Sequence, residues 1–596
     1  MTARIRSGRR GARSFVALAG VAVLALSGCT TMPGDTTPQA IRTFEAPAHD
    51  MELPEPRPDA APDLVLRDFY AASAHPGDDY AAARAFLTDE ARARWNPHGG
   101  TWIVDGINVI GDGGDGGDDG DGNSRRFDTR AAIVGNLAAN GAYETQSALY
   151  EDSVELRMTT EGQWRIAELP DGVLLERQAF LDSHAPRNVY FVDPSGNHLV
   201  PDRRWIYRGV DDAATELLNT MGGGPRNRLV PGVTSALPPE TRVEVGRQEE
   251  GPGRVIRLTG LGDRDETLRG LLAAQIVWTL STADVRGPWL LEADGAPLIE
   301  SHPGPWTRDS DELRPLDPTK GPADRAPLHA VEAGGVVEVA DGRERALPGW
   351  ASQGGEVLVS AGVGVDEAGT RLIAAVSRTD RGGTGESSLL LGRAGDEPEV
   401  VLSAQSLTRP SWSPDAASVW TVVDGERVMR LVGTGSAVPG IEEIDVSGIA
   451  EVGGGISELR VDPSGTQVAI IAGGKIWIAT IEQSESGPWR LVNARELSLT
   501  EGITPVTLAW APNSTIIVGA YGDTAPMWRI YPDGSVNYML PKLNLSPPVS
   551  VVSATSSKIY ALDDNALMEL VTGEGEAQFW RAVPGVAGRA APVTAE

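Results

Sequence analysis

The sequence predicts a multidomain chain: two small α+β domains followed by an all-β propeller of about six blades. Three observations carry that expectation. Several C-terminal segments align on one frame at spacings of 47 and 49 residues. Stretches of helical period are followed by short strand-like runs, twice, before residue 305. The composition also changes at Pro62 and again near Pro327, marking boundaries between differently built regions.

The chain opens with a secretory signal over residues 1–28. "MTARIRSGRRGARS" carries Arg4, Arg6, Arg9, Arg10 and Arg13 and no acidic residue, and "FVALAGVAVLALSG" is apolar from Phe15 to Gly28. That run is shorter than the roughly 20 residues needed to span a bilayer, so it reads as an h-region. Leu26, Ser27 and Gly28 then precede Cys29, the only cysteine of 596 residues. Leu-Ser-Gly-Cys looks like a bacterial lipobox, in which the thiol receives a diacylglyceryl group and the cleaved chain is acylated further, palmitate being a typical chain. Each buried CH₂ contributes about 0.8 kcal/mol, so two or three chains anchor stably. Cys29 is expected to be a tether, placing the protein on the extracytoplasmic face of the cell membrane.

Removal of the signal leaves 47 basic against 82 acidic residues, a net charge of −35. Such a surface repels phosphate backbones and excludes nucleic acid as a partner. Residues 29–61 are rich in proline and acid without periodicity and read as a lipidated, flexible stalk.

Residues 62–180 form the first expected α+β domain. Leu64, Leu66, Phe69, Tyr70, Ala82, Phe86 and Leu87 recur at helical spacing, and "TWIVDGINVI" and "YETQSALYEDSVELRM" read as strands. Between these strands lies an aspartate-rich loop, 111–123. Asp119, Asp121 and Asn123 fit the start of an EF-hand, but Ser124 stands where glycine is required and Arg130 occupies the twelfth position. The loop is therefore read as a hairpin insertion, with a calcium site as the alternative.

The second α+β domain spans 187–305. "RNVYFVDPSGNHLVP" is a hairpin turning at Pro194-Ser195-Gly196-Asn197, and "DDAATELLNTM" is a helix stopped by Gly222-Gly223-Gly224-Pro225. In "DETLRGLLAAQIVWTLST", Leu268, Leu271, Leu272, Ile276 and Leu280 share a helical face, while Gln275 and Thr279 read as surface positions. Residues 306–326 are expected to be a linker.

The propeller is expected over 327–590. "PSWSPDAASVWTVV", "LRVDPSGTQVAIIA" and "LAWAPNSTIIVGAY" share one frame, with Ser413, Asp462 and Ala511 equivalent and Asp366 in the same slot. At ~45 residues per blade the region holds six blades, or five if the incomplete first unit is not one. Trp412, Trp420, Trp477, Trp510 and Trp528 are expected to pack between blades.

No catalytic constellation stands out. G-x-S-x-G, S-x-x-K, Walker A and H-E-x-x-H are all absent, and the propeller region holds one histidine, His329. The chain therefore reads as non-catalytic, with no cofactor and no metal.

"NVYFVDPSGNHLVP", "GGGPRNRLVPGVTSALPPETRV" and "LLAAQIVWTLS" resemble the GerMN domain of germination proteins. With lipobox, stalk and propeller in this order, the whole mature chain is similar to the LpqB family of actinobacterial lipoproteins. That resemblance implies a partner: the extracellular domain of an MtrB-like sensor histidine kinase of the MtrA–MtrB two-component system. It also implies a role in modulating that signalling in envelope homeostasis and division. The alternative is an accessory lipoprotein that holds a cell-wall polymer.

Overall fold

The structure is a computed structural model in which the chain divides into Met1–Glu52 and Leu53–Glu596. The described residues are 53–111, 123–248, 253–351, 357–379, 385–434, 439–483, 488–499, 502–572, 579–586 and 588–596. Cys29, its lipobox and the aspartates of the 111–123 loop lie outside them.

The first domain opens with three short helices, α1 (Pro62–Ala72), α2 (Gly77–Arg84) and α3 (Asp89–Arg94). Proline at the first position of α1 gives up an N–H that has no helical partner there anyway. Leu66, Phe69, Phe86 and Leu87 are buried as their spacing predicts, whereas Leu64 is 39 % exposed. The helices cover a five-stranded sheet of order β4-β3-β2-β1-β5. Its strands are β1 (Thr101–Gly111), β2 (Ser124–Leu137), β3 (Tyr143–Met158), β4 (Trp164–Glu168) and β5 (Val173–Glu176). The aspartate-rich segment joins β1 to β2. Arg130 lies in β2 opposite Glu151 of β3, with which it pairs at 3.2 Å, so that position belongs to the strand ladder.

Helix α4 (Arg177–Ser183) leads into the second domain. There β6 (His184–Val192) and β7 (Leu199–Tyr207) form the predicted hairpin, closed by Asp193, whose carboxylate accepts from the His198 N–H at 2.7 Å. Helix α5 (Ala213–Gly222) follows, then β8 (Arg242–Arg247), β9 (Arg254–Thr259), α6 (Glu266–Thr282), β10 (Trp289–Ala293) and β11 (Ala296–Pro297). Strands β9 and β10 are parallel, so α6 is the crossover between them.

The second half of α6 is buried on every side, and this corrects the surface reading of Gln275 and Thr279. Both are fully buried. Gln275 Nε2 donates to the Tyr190 carbonyl at 2.8 Å, its Oε1 accepts from the Ala236 N–H at 2.6 Å, and Thr279 Oγ1 accepts from the Tyr190 N–H at 3.1 Å. Tyr190 stands opposite Pro201, which has no N–H to offer, and the helix side chains satisfy its backbone instead. A Gln275→Leu variant strands the buried Tyr190 carbonyl and the half-buried Ala236 N–H and is expected to lose about 2–4 kcal/mol in urea unfolding. An unchanged midpoint would show that water replaces both bonds.

Residues 306–326, expected to be a linker, are built into the fold. Trp306 exchanges backbone hydrogen bonds with Trp289 at 2.7 and 2.9 Å, and Leu313 enters the second domain's core.

Among the described residues, six four-stranded sheets then form a closed ring in which each inner strand touches the next. Asp366, Ser413, Asp462 and Ala511 each open the equivalent turn: their carbonyls accept from Gly369, Ala416, Gly465 and Ser514. The ring runs past residue 590. Ala591–Val593 pairs with His329–Val331 and is the innermost strand of the first blade, beyond the 327–590 span. This clasp joins the two ends of the ring. Trp412 packs among second- and third-blade residues and Trp510 among fourth- and fifth-blade residues, as expected of spacers between blades.

Candidate functional site

Two concave features and one junction are candidates, and the central channel is the first. Its wall is a chain of charges crossing the blades. Arg409 pairs with Glu458 and donates to the carbonyls of Leu508 at 2.8 Å and Val552 at 3.1 Å, while Glu458 accepts from the Leu508 N–H at 3.0 Å. Arg460 pairs with Glu596, whose carboxylate also accepts from Ser411 Oγ at 2.9 Å and the Trp412 N–H at 2.7 Å. Gly321, Pro322 and Ala323 line the same cavity, and Asp324 holds this segment by accepting from the Ser556 N–H at 3.0 Å. The space left among these groups is about 40 Å³. That admits a water or two and no organic ligand.

The junction is centred on Asp533, in a turn of the fifth blade. Its Oδ2 accepts from Trp205 Nε1 of β7 at 3.2 Å, and its carbonyl accepts from Thr145 Oγ1 of β3 at 3.4 Å and from Arg495 at 3.3 Å. One residue thus ties the first domain, the second domain and the propeller. Trp205 packs against Phe180 with centroids 4.5 Å apart and the rings tilted by 47°. Gly141 lets the β2–β3 turn approach it: a Cβ there would stand 2.7 Å from the Trp205 carbonyl oxygen. Around this centre the Arg203 guanidinium lies 3.4 Å over the Tyr531 ring, and the Arg228 carbonyl accepts from Thr480 at 2.8 Å and Asn493 at 2.9 Å. Beneath it Asp202, fully buried, holds Arg204 at 2.6 Å and Arg226 at 3.2 Å. Arg204 in turn donates to the Asn140 carbonyl of the first domain at 3.1 Å.

The open concavity is a cleft of about 790 Å³ between the first two domains. Pro76, Gly77, Asp78, Tyr80, His98 and the β2–β3 turn line one side, with His184, β7 and the start of α5 on the other. At its rim Asp78, Asp79 and Tyr80 all have left-handed φ, 51°, 54° and 59°, which is costly for residues with a Cβ. The stretch is held because Asp79 accepts from His98 at 2.9 Å and Arg84 at 2.7 Å, and its bond with His98 lowers its pKa. On the far wall His184 Nδ1 meets Ser183 Oγ at 2.9 Å.

Burial pushes the His184 imidazole down to about 4, and buried His329 of the first blade likewise to about 4. Both lie below the 6.5 of an unfolded chain, so the unfolded state binds more protons between these values. Stability is therefore complete above pH 6.5 and falls as pH drops toward 4, by at most ~1.4 kcal/mol per unit for each ring. A His184→Gln, His329→Gln variant is expected to flatten that slope in urea unfolding from pH 7 to 5. Parallel slopes would contradict the assignment.

The same architecture recurs in known proteins. Residues 334–595 match the family described as lipoprotein LpqB beta-propeller domain, residues 55–181 the lipoprotein LpqB N-terminal domain, and residues 188–299 the sporulation and spore germination family. A lipoprotein LpqB of Corynebacterium jeikeium strain K411 is 36 % identical, covering 96 % of each chain. The chain belongs to the lipoprotein LpqB family. An LpqB of Rhodococcus opacus strain B4 is 32 % identical over all of both chains, and that of Mycobacterium tuberculosis strain CDC 1551 / Oshkosh is 33 % identical over 94 % of this chain and 95 % of its own. Membership of the LpqB family makes the chain an accessory lipoprotein with lipid-anchored membrane association. Among the described residues no helix is long and apolar enough to cross a membrane.

Nothing in the sequence of this LpqB family member singled out Trp205, Asp533, Asp202 or the cleft. "PDGS" at 532–535 reads like any blade turn, and the arginines of "PDRRW" like the polar face of a strand.

Proposed function

We propose that this protein, anchored through Cys29 on the extracytoplasmic face, binds the extracellular domain of a sensor histidine kinase and modulates two-component signalling in envelope homeostasis and cell division. The observation that supports this reading most is the junction at Asp533. Three domains tied at one residue make a stiff body with an extended outer surface, and the channel at its centre is filled by the protein's own side chains. Such a body suits recognition of another protein more than turnover of a small substrate. Tethering by a stalk raises its effective concentration beside a membrane neighbour.

A wall polymer is the second reading, and the aromatic residues Tyr80 and Tyr207 of the cleft favour it. The experiment is a pull-down of residues 30–596 with the kinase's extracellular domain, run beside sedimentation with purified cell wall. Saturable kinase binding that survives moderate salt is the expected result. No binding between folded partners, with strong retention on the wall, would replace the first reading by the second. A Cys29→Ala variant is expected to leave the membrane fraction or accumulate as precursor, and full processing with membrane retention would refute the tether.

A further inference from the structure

We propose that the cleft between the first two domains binds an organic cation: an ammonium or guanidinium group on an apolar stem. The proposal holds whether or not a kinase is the partner, since it rests on the lining of this cavity alone. No lysine or arginine lines the cleft, yet Asp78, Asp211 and Glu216 do. None of these three carboxylates makes a side-chain hydrogen bond or ion pair among the described residues, whereas neighbouring Asp212 is engaged by Arg254 at 2.7 Å and Thr215 at 2.7 Å. These three carboxylates stand around one cavity with no positive side chain paired to them, and a bound cation would supply the missing partner.

The placement of the charges selects the kind of cation. Asp78 comes from the first domain, and Asp211 and Glu216 from the second, beside α5. Among the described residues no three acidic or histidine groups converge closely enough to hold a metal ion. Charge spread around a cavity suits a ligand with several N–H donors rather than a point charge. The walls supply the rest: Leu137, Val210 and Ile206 give apolar surface for a stem, and Tyr80 and Tyr207 add aromatic side chains to the lining. His184 on the far wall is neutral at pH 7 and does not oppose a positive ligand. The volume of about 790 Å³ is in the range of small-ligand sites, which favour domain interfaces as this one does.

The shared chemistry could come from a free polyamine or from a basic side chain of a polypeptide, and titration calorimetry on residues 30–596 separates them. The probes are Nα-acetyl-arginine amide, its uncharged isostere Nα-acetyl-citrulline amide, spermidine, and an acetyl-Gly-Arg-Gly amide. The arginine probe is expected to bind one to one and to weaken as salt rises, and the citrulline probe not to bind. An Asp211→Asn, Glu216→Gln variant is expected to weaken binding about fivefold or more, and an Asp78→Asn variant, which leaves the α5 side intact, by about twofold or more. Tighter binding of spermidine than of the peptide identifies the free polyamine, and the reverse identifies a polypeptide side chain. Silence of all cationic probes up to about 10 mM would overturn the proposal. Equal binding of the citrulline amide, or binding unaffected in both folded variants, would overturn it as well.

Discussion

A chain lacking residues 591–596 is expected to fail to close its propeller. The deleted strand supplies the partners of His329, Ala330 and Val331, so its loss exposes the inner edge of the first blade. It also removes the buried Val593 and Ala595 from the contact between the first and second blades, and Glu596 from Arg460. Arg460 is then left almost fully buried without its carboxylate, the kind of change that costs about 3–5 kcal/mol by itself. Added to the lost apolar contacts, this approaches the whole 5–15 kcal/mol typical of a domain. Limited proteolysis is the measurement: the shortened chain should be cut throughout 328–583 under conditions that spare the full chain. Equal resistance would mean that the ring closes without its clasp.

Replacing Asp202 by alanine is the second large effect. Asp202 Oδ2 accepts from Arg204 at 2.6 Å and from the Arg226 N–H at 2.9 Å, and Oδ1 stands 3.2 Å from Arg226 Nε. Without it two buried guanidinium groups share no carboxylate, since neither Arg204 nor Arg226 has another ion pair among the described residues. Stranding buried charge in this way costs about 3–5 kcal/mol. The loss should be read in urea unfolding, and should shrink when Arg204 and Arg226 are replaced by methionine in the same chain. A full-strength loss in the triple variant would show that the aspartate matters for packing rather than as a counter-ion.

Both effects fall at places the sequence hides, and the reason is the same. Local pattern reveals what repeats locally. The blade frame was legible because the turns at Asp366, Ser413, Asp462 and Ala511 make the same backbone bond and each draws on turn-forming residues such as Pro, Gly, Asp, Asn and Ser. The second-domain hairpin was legible because Asp193 and the residues after it close one tight turn. The clasp at Ala591–Val593 is three residues long and pairs with a strand some 260 positions earlier, so no local signal marks it. Gln275 and Thr279 looked like surface residues because helical period reports one buried face, whereas tertiary packing against Tyr190 supplies a second. The cleft is invisible for a related reason: its carboxylates are ordinary surface aspartates and glutamates until two domains bring them to one cavity. The lipobox reading, in turn, rests on four adjacent residues and not on any fold.

The proposed function joins these features: a body of three domains fixed at Asp533, proposed to be tethered at Cys29 and to modulate a kinase beside it. The most direct test reconstitutes the full-length kinase in liposomes with the acylated chain and follows kinase autophosphorylation. The account predicts a saturable change in rate that weakens when an Asp533→Ala variant loosens the junction, and that weakens further with soluble, unacylated chain at equal concentration. An autophosphorylation rate that does not respond to the acylated chain, with both proteins folded and co-resident in the membrane, would contradict it.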